Sequence, residues 1–366
     1  METQVLESVQ RSNWLTKDKR PIVIAGPCSA ETEEQVFETC RNIANTGKAD
    51  ILRAGIWKPR TRPGTFEGIG IKGLPWMRQM KMETGLPVTV EVAKAGHVEA
   101  CLEFEMDILW IGARTSVNPF AVQEIAEALR GVDIPVLVKN PINPDLALWM
   151  GAVERFERVG INEVGVIHRG FSNTSEKVYR NRPQWQLAIE FMQRRPELPI
   201  ICDPSHICGV RDLLASVSQK AMDLNYDGLM IETHRDPDNA WSDAKQQLTP
   251  QDFGNLIQQL VLRYDREDDS VAQQNLEFLR QEISEIDADL INLLGERMKV
   301  ARQIGLYKKQ NDITILQPKR WEEILNIAHD RGEKNKLSKE FITRFLRAVH
   351  DESIDQQEKI MTVPKA

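Results

Sequence analysis

The chain has 366 residues, with 47 lysines and arginines against 54 aspartates and glutamates and a formal net charge of −7. That length holds two domains of ordinary size, or one large barrel with an appendage, and either buries a sizeable core. The acidic balance excludes a general attraction to nucleic acid or anionic membrane, no apolar run reaches the length of a membrane span, and the first twenty residues lack a signal-peptide core. These features predict a cytoplasmic protein whose anion sites are local.

Residues 1–20 are polar and read as an N-terminal arm. Beyond them one pattern recurs: an apolar β-rich run, a loop with glycine or a functional group, then an amphipathic stretch. The runs lie at 22–26, 51–56, 88–92, 108–112, 136–139, 163–167, 199–202 and 228–232, with helical patterns such as 33–46, 119–130, 144–159 and a last one at 250–263. Eight buried strands alternating with helices over 21–263 predict a (β/α)8 barrel, with a doubly wound open sheet as the alternative. A polar, acidic linker at 264–270 marks a boundary, and residues 271–366 read as helical. There Leu279, Ile283, Ile286, Leu290, Leu293, Arg297, Val300 and Ile304 step by threes and fours, as a coiled-coil seam does. A cation in such a seam requires an anion, and Lys308, eleven residues on and about 20° around the helix, shares the face of Arg297. Two shorter helices follow at 319–331 and 338–357, with Ser353 and Gln357 one turn apart. From the seam alone, a plain helical dimerisation module is the simplest reading.

Active sites of such barrels form at the C-terminal ends of the strands. Those ends carry Cys28, a stiff cationic loop from Arg53 to Arg62, Glu91, Arg114, Lys139, His168 with Arg169, Asp203 with His206, and Glu232 with His234. Arg53, Lys58, Arg60, Arg114, Lys139 and Arg169 suffice for substrates bearing two phosphates and a carboxylate. Cys28, His206, Glu232 and Asp243 combine thiol, imidazole and carboxylates, which suits a divalent ion such as Mn, Zn, Co or Fe(II) better than an all-oxygen magnesium site. The other cysteines, five in all with Cys28, have no paired spacing and read as reduced thiols.

The motifs AGPCS at Ala25 to Ser29, RAGIWKPRT at Arg53 to Thr61, GAR at Gly112 to Arg114, DPSH at Asp203 to His206, IETH at Ile231 to His234 and SDAKQQL from Ser242, together with Lys139, span the whole predicted barrel. On them the chain resembles type I 3-deoxy-D-arabino-heptulosonate 7-phosphate (DAHP) synthases of the beta subgroup. The related octulosonate phosphate synthases differ where Lys58, Pro59, Arg60 and Thr61 stand. The resemblance implies a metal-dependent condensation of phosphoenolpyruvate with erythrose 4-phosphate. It implies that Arg53, Lys58, Arg114, Lys139 and Arg169 hold phosphoenolpyruvate, that Pro59, Arg60 and Thr61 hold the aldose phosphate, and that Cys28, His206, Glu232 and Asp243 hold the metal. Lys58 or a metal-bound water would protonate the nascent alkoxide.

Residues 271–362, from FLRQEISEIDADLINLLGERMKVARQIGLYK to RFLRAVHDESIDQQEKI, resemble the all-helical chorismate mutases. That implies a three-helix domain that dimerises and a site lined by Arg297, Lys308, Arg320, Ser353 and Gln357, with Arg280 reaching into a second subunit. Gln317 and Trp321 stand where many members carry carboxylates. The expectation is a bifunctional homodimer feedback-regulated by prephenate or chorismate; the alternative is a synthase with a helical ligand-sensing tail.

Overall fold

The computed structural model describes residues 20–58, 66–172, 178–263, 270–316 and 318–362. The N-terminal arm, Pro59, Arg60, Thr61 and Arg62 of the cationic loop, most of the linker, and Gln317 lie outside them. Two compact units meet at the boundary between residues 264 and 265. Among the described residues no helix is long and apolar enough to cross a membrane.

In the first unit eight parallel strands close into a barrel, each paired with the next and the eighth with the first. They are β1 (Ile22–Gly26), β2 (Ile51–Ala54), β3 (Val88–Val92), β4 (Ile108–Ile111), β5 (Val136–Lys139), β6 (Val164–His168), β7 (Ile200–Cys202) and β8 (Gly228–Glu232). Between and after them run α1 (Glu33–Asn45), α2 (Gly73–Thr84), α3 (Ala95–Glu103), α4 (Pro119–Ala128), α5 (Leu146–Arg158), α6 (Trp185–Arg194), α7 (Pro204–Cys208), α8 (Leu214–Asp223) and α9 (Pro250–Gln259). Strand side chains alternate between faces, so each strand builds two layers at once. Ile22, Ile24, Ile108, Leu137, Ile201 and Met230 fill the barrel interior, while Val23, Leu52, Val90, Val138, Val166 and Leu229 face the helices. The doubly wound alternative is thereby excluded.

Several ends differ from the sequence expectation by one to four residues, and two of them have a visible cause. β2 stops at Ala54 rather than 56, where Gly55 lies so close to the loop leaving β1 that a Cβ on it would meet the Cys28 carbonyl oxygen at 2.3 Å. α9 stops at Gln259 rather than 263: Val261 N–H donates to Gln219 Oε1 and its carbonyl accepts from Gln219 Nε2, both at 2.9 Å, which fixes extended backbone in place of another helical turn.

The second unit consists of α10 (Ser270–Gln310), α11 (Pro318–Lys334) and α12 (Lys339–Met361), with α12 packed along both others. Ser338 caps α12 by accepting from Phe341 N–H. Gly305 lets α12 approach α10, since a Cβ there would stand 3.1 Å from Gln357 Cα. Leu279, Ile283, Ile286, Leu290, Leu293, Val300 and Ile304 of the seam are all exposed within the single chain.

Candidate active sites

Strand parity positions the barrel's charged groups. Ile51 and Arg53, Ile108 and Trp110, Leu137 and Lys139, Ile201 and Asp203, and Met230 and Glu232 are pairs two residues apart, so the apolar interior layer hands over at the strands' C-terminal rim to four charged side chains and Trp110. Arg53 is 1% exposed. Its guanidinium carbon lies 4.7 Å from the Trp110 ring centre, it donates to the Cys28 carbonyl at 3.3 Å, and it stands 3.4 Å from Glu232 Oε1. Trp110 donates to Glu91 at 3.1 Å, and Lys139 donates to Asp203 Oδ2 at 2.7 Å. Burial works against the charge of Asp203, but His206 and Lys139 outweigh it and hold the carboxyl well below its usual range.

A cavity of about 290 Å³ opens on this rim, lined among others by Lys58, Glu91, Arg114, Lys139, Arg169, Arg180, His206 and Asp243. Four of the five cations assigned to phosphoenolpyruvate therefore share one space, with Arg53 buried against Trp110 beside Glu232. Burial, with Arg180 and Arg114 nearby, pushes Arg169 down to about 10, which leaves it a cation at neutral pH.

At the cavity's edge ligand atoms of Cys28, Glu232 and Asp243 all lie within 4.8 Å of one another. The Cys28 thiol is 3.3 Å from Asp243 Oδ2, and Lys58 Nζ donates to Cys28 Sγ at 3.0 Å. His206 falls outside that tight trio, but its Nε2 is 3.8 Å from Glu232 Oε1 and its Nδ1 is 2.8 Å from Asp203. Burial, then Glu232, pushes the Cys28 thiol up to about 12. Glu232 Oε1 is buried with no hydrogen-bond partner among the described residues. A divalent ion fits this donor set: it would satisfy the orphaned carboxylate oxygen and favour the thiolate.

His168 departs from the sequence reading. As the residue beside Arg169 it takes the opposite parity and turns out of the barrel, among Trp149, Phe171, Trp185 and Tyr226. Its Nε2 is 2.7 Å from the Pro183 carbonyl and its Nδ1 is 2.9 Å from the Tyr226 hydroxyl. Burial pushes its pKa from 6.5 down to about 4. The unfolded chain therefore binds a proton that the folded one refuses, so stability falls as pH drops from 6.5 to 4 and is unaffected above that window. The full loss is about 3 kcal/mol. His168→Gln, which keeps a donor and an acceptor but does not titrate, should flatten that acid slope in urea unfolding followed by fluorescence of the adjacent tryptophans. An unchanged slope would contradict the assignment.

His234 also leaves the cavity, pairing with buried Glu31 at 3.3 Å. Two residues that sequence reasoning missed join the rim. Trp110 hides inside an apolar strand, where an aromatic reads as core; only its parity with Ile108 gives it away. Arg180 reaches Asp243 Oδ1 at 2.9 Å and Gln246 Oε1 at 2.6 Å, and the cation-rich YRNRP at Tyr179 to Pro183 was its only signal.

In the helical unit Arg297 of α10 donates to Ser353 Oγ and, at 3.4 Å, to the Val349 carbonyl of α12. Lys308, 8% exposed, donates to the Ile315 carbonyl at 2.6 Å, and burial lowers its pKa. Gln357 Nε2 donates to the Ser353 carbonyl at 3.2 Å, while Oε1 is buried with no hydrogen-bond partner among the described residues. Arg297, Lys308, Ser353 and Gln357 thus converge between α10 and α12. Arg320 does not join them; it is exposed and pairs with Glu323 at 2.7 Å. Arg280 is exposed beside Glu277.

The fold and the rim define an anion-handling (β/α)8 enzyme joined to a helical unit with a cationic cleft of its own. Residues 6–265 match the DAHP synthetase I family, and residues 279–358 match chorismate mutase type II. The chain belongs to the DAHP synthetase I family and carries a type II chorismate mutase domain behind it, an enzyme that joins a synthase to a mutase. It is 32% identical over 238 residues to a phospho-2-dehydro-3-deoxyheptonate aldolase of Thermotoga maritima, covering 65% of this chain and 68% of the relative. A 2-dehydro-3-deoxyphosphooctonate aldolase of Rhodopseudomonas palustris is 28% identical over 258 residues, covering 65% and 86%. The crystal structure of the Thermotoga maritima DAHP synthase superposes with a TM-score of 0.58 at 32% identity, covering 65% of this chain and 67% of that one. A truncated form of a 3-deoxy-D-arabino-heptulosonate 7-phosphate synthase from the same organism gives 0.56 at 29%, covering 65% and 84%.

Proposed function

We propose that the barrel condenses phosphoenolpyruvate with erythrose 4-phosphate and water, releasing phosphate, and that the helical unit rearranges chorismate to prephenate. The observation that carries the first half is one cavity lined by Lys58, Arg114, Lys139, Arg169, His206 and Asp243, with Cys28 and Glu232 buried behind Asp243 as the rest of its trio. Arg114, Lys139 and Arg169 bind the phosphate and carboxylate of phosphoenolpyruvate and fix its enol carbon. His206 and then Arg53 keep Glu232 ionised. Pro59, Arg60 and Thr61 are assigned to the aldose phosphate on the motif alone. Cys28, His206, Glu232 and Asp243 would hold a divalent ion, which when bound polarises the aldehyde. Lys58 lines the cavity beside Cys28 and is placed to deliver a proton to the alkoxide that forms from it.

The mutase step is pericyclic and needs no nucleophile, only a site that folds the dianion and stabilises charge on the ether oxygen. Arg297 takes a carboxylate and Lys308 the ether oxygen. Gln357 joins Lys308 by turning its amide over. The exposed α10 stripe supports a homodimer in which Arg280 reaches into the second subunit's site, since such a face is stable in water only when covered, and Arg320 is assigned to the site on the motif alone. Feedback by prephenate or chorismate belongs to the same reading, because the second activity consumes a later product of the pathway that the first opens. The test is direct: the full chain should release phosphate only when both barrel substrates are present, and should consume chorismate. A folded dimer that binds chorismate without turnover would leave the helical unit a sensor.

A further inference from the structure

On α12, Ser353 and Gln357 lie three and seven residues beyond His350, so the three side chains fall within about 60° of one another on one stripe. His350 is half-buried, and its ring stacks on Trp321 of α11 with centroids 4.4 Å apart and planes 24° from parallel. The stack fixes the ring plane. Neither ring nitrogen has a hydrogen-bond partner among the described residues, whereas His329 on α11 spends its Nε2 on Thr343 at 2.8 Å. Arg297 and Lys308 are close enough to disfavour protonation of His350, adding to burial and opposed only by Asp351. It therefore stands as a neutral imidazole, with one donor and one acceptor, inside a cleft whose other polar groups include two fixed cations that can only donate.

Chorismate carries two carboxylates, an ether oxygen and one ring hydroxyl. The cations and Gln357 match the first three. Only a group that both donates and accepts matches the hydroxyl fully. We infer that His350, held flat by Trp321, reads that hydroxyl and is a specificity-determining residue of the mutase site. This rests on the mutase reading above and assigns one subsite of it.

Two stable bicyclic dicarboxylate mimics of the rearranging substrate, one with the hydroxyl and one without, separate the possibilities by calorimetry on the full chain. His350→Phe keeps the stack but removes both nitrogens. It should weaken the hydroxylated mimic about tenfold, the loss expected for one buried hydrogen bond, and leave the deoxy mimic unchanged. His350→Asn should recover part of the loss, and the KM for chorismate should follow the hydroxylated mimic with little change in kcat. Equal weakening of both mimics would make His350 a structural wall, and no change in either would remove it from the site. Failure of the wild-type chain to bind either mimic would overturn the mutase reading itself, and this inference with it.

Discussion

Arg53→Ala should lower the synthase kcat/KM by about a thousandfold while the mutase rate of the same preparation stays at the wild-type value. Arg53 is the cation nearest Glu232 Oε1, the buried oxygen with no hydrogen-bond partner. Burial alone would raise the Glu232 pKa; His206 and then Arg53 reverse that and hold the carboxyl below its usual range. Removing the guanidinium leaves a buried carboxylate short of its partner, at a cost of about 3 to 5 kcal/mol unless it takes up a proton. A protonated Glu232 is a poor ligand, so weaker metal binding should accompany the lost turnover. Arg53→Lys restores charge but neither the fork to the Cys28 carbonyl nor the flat contact with Trp110, and should recover only part of the rate. An alanine variant within tenfold of wild type would remove Arg53 from the machinery.

Arg297→Ala should produce the mirror image, a mutase about a thousandfold slower beside a synthase of normal kcat. Its guanidinium already holds the Ser353 hydroxyl and the Val349 carbonyl, so it is oriented before any substrate arrives. That preorganisation is what a pericyclic reaction can use, because a carboxylate gripped by an already ordered side chain holds the dianion in its reacting shape at little further ordering cost. Arg297→Lys supplies a point charge without the fork and should fall between the two. Lost mutase activity accompanied by a fall in synthase kcat would show instead that the change acts through folding or assembly.

The barrel was legible because parallel strands buried on both faces leave unbroken apolar runs, and because reactive groups cluster where those runs end. Val88–Val92 and Gly228–Glu232 coincide with their sequence spans for that reason. What sequence could not give is the direction in which a rim residue points. His168 and Arg169 are neighbours, yet one feeds the cavity and the other an aromatic pocket, and a one-residue change of parity separates them. Trp110 was invisible for the opposite reason, since an aromatic in a strand is ordinarily core. In the helical unit the seam placed Arg297 and Lys308 on one face of α10. The stack of Trp321 on His350 joins two helices and has no sequence period to announce it.

The central claim, two chemically independent active sites on one chain with only one of them needing a divalent ion, is tested most directly by assaying both activities in a single sample before and after a strong chelator. Synthase turnover should vanish and return on adding Mn or Zn, while chorismate consumption continues at an unchanged rate. A synthase indifferent to the chelator, or a mutase that stops with it, would contradict the account.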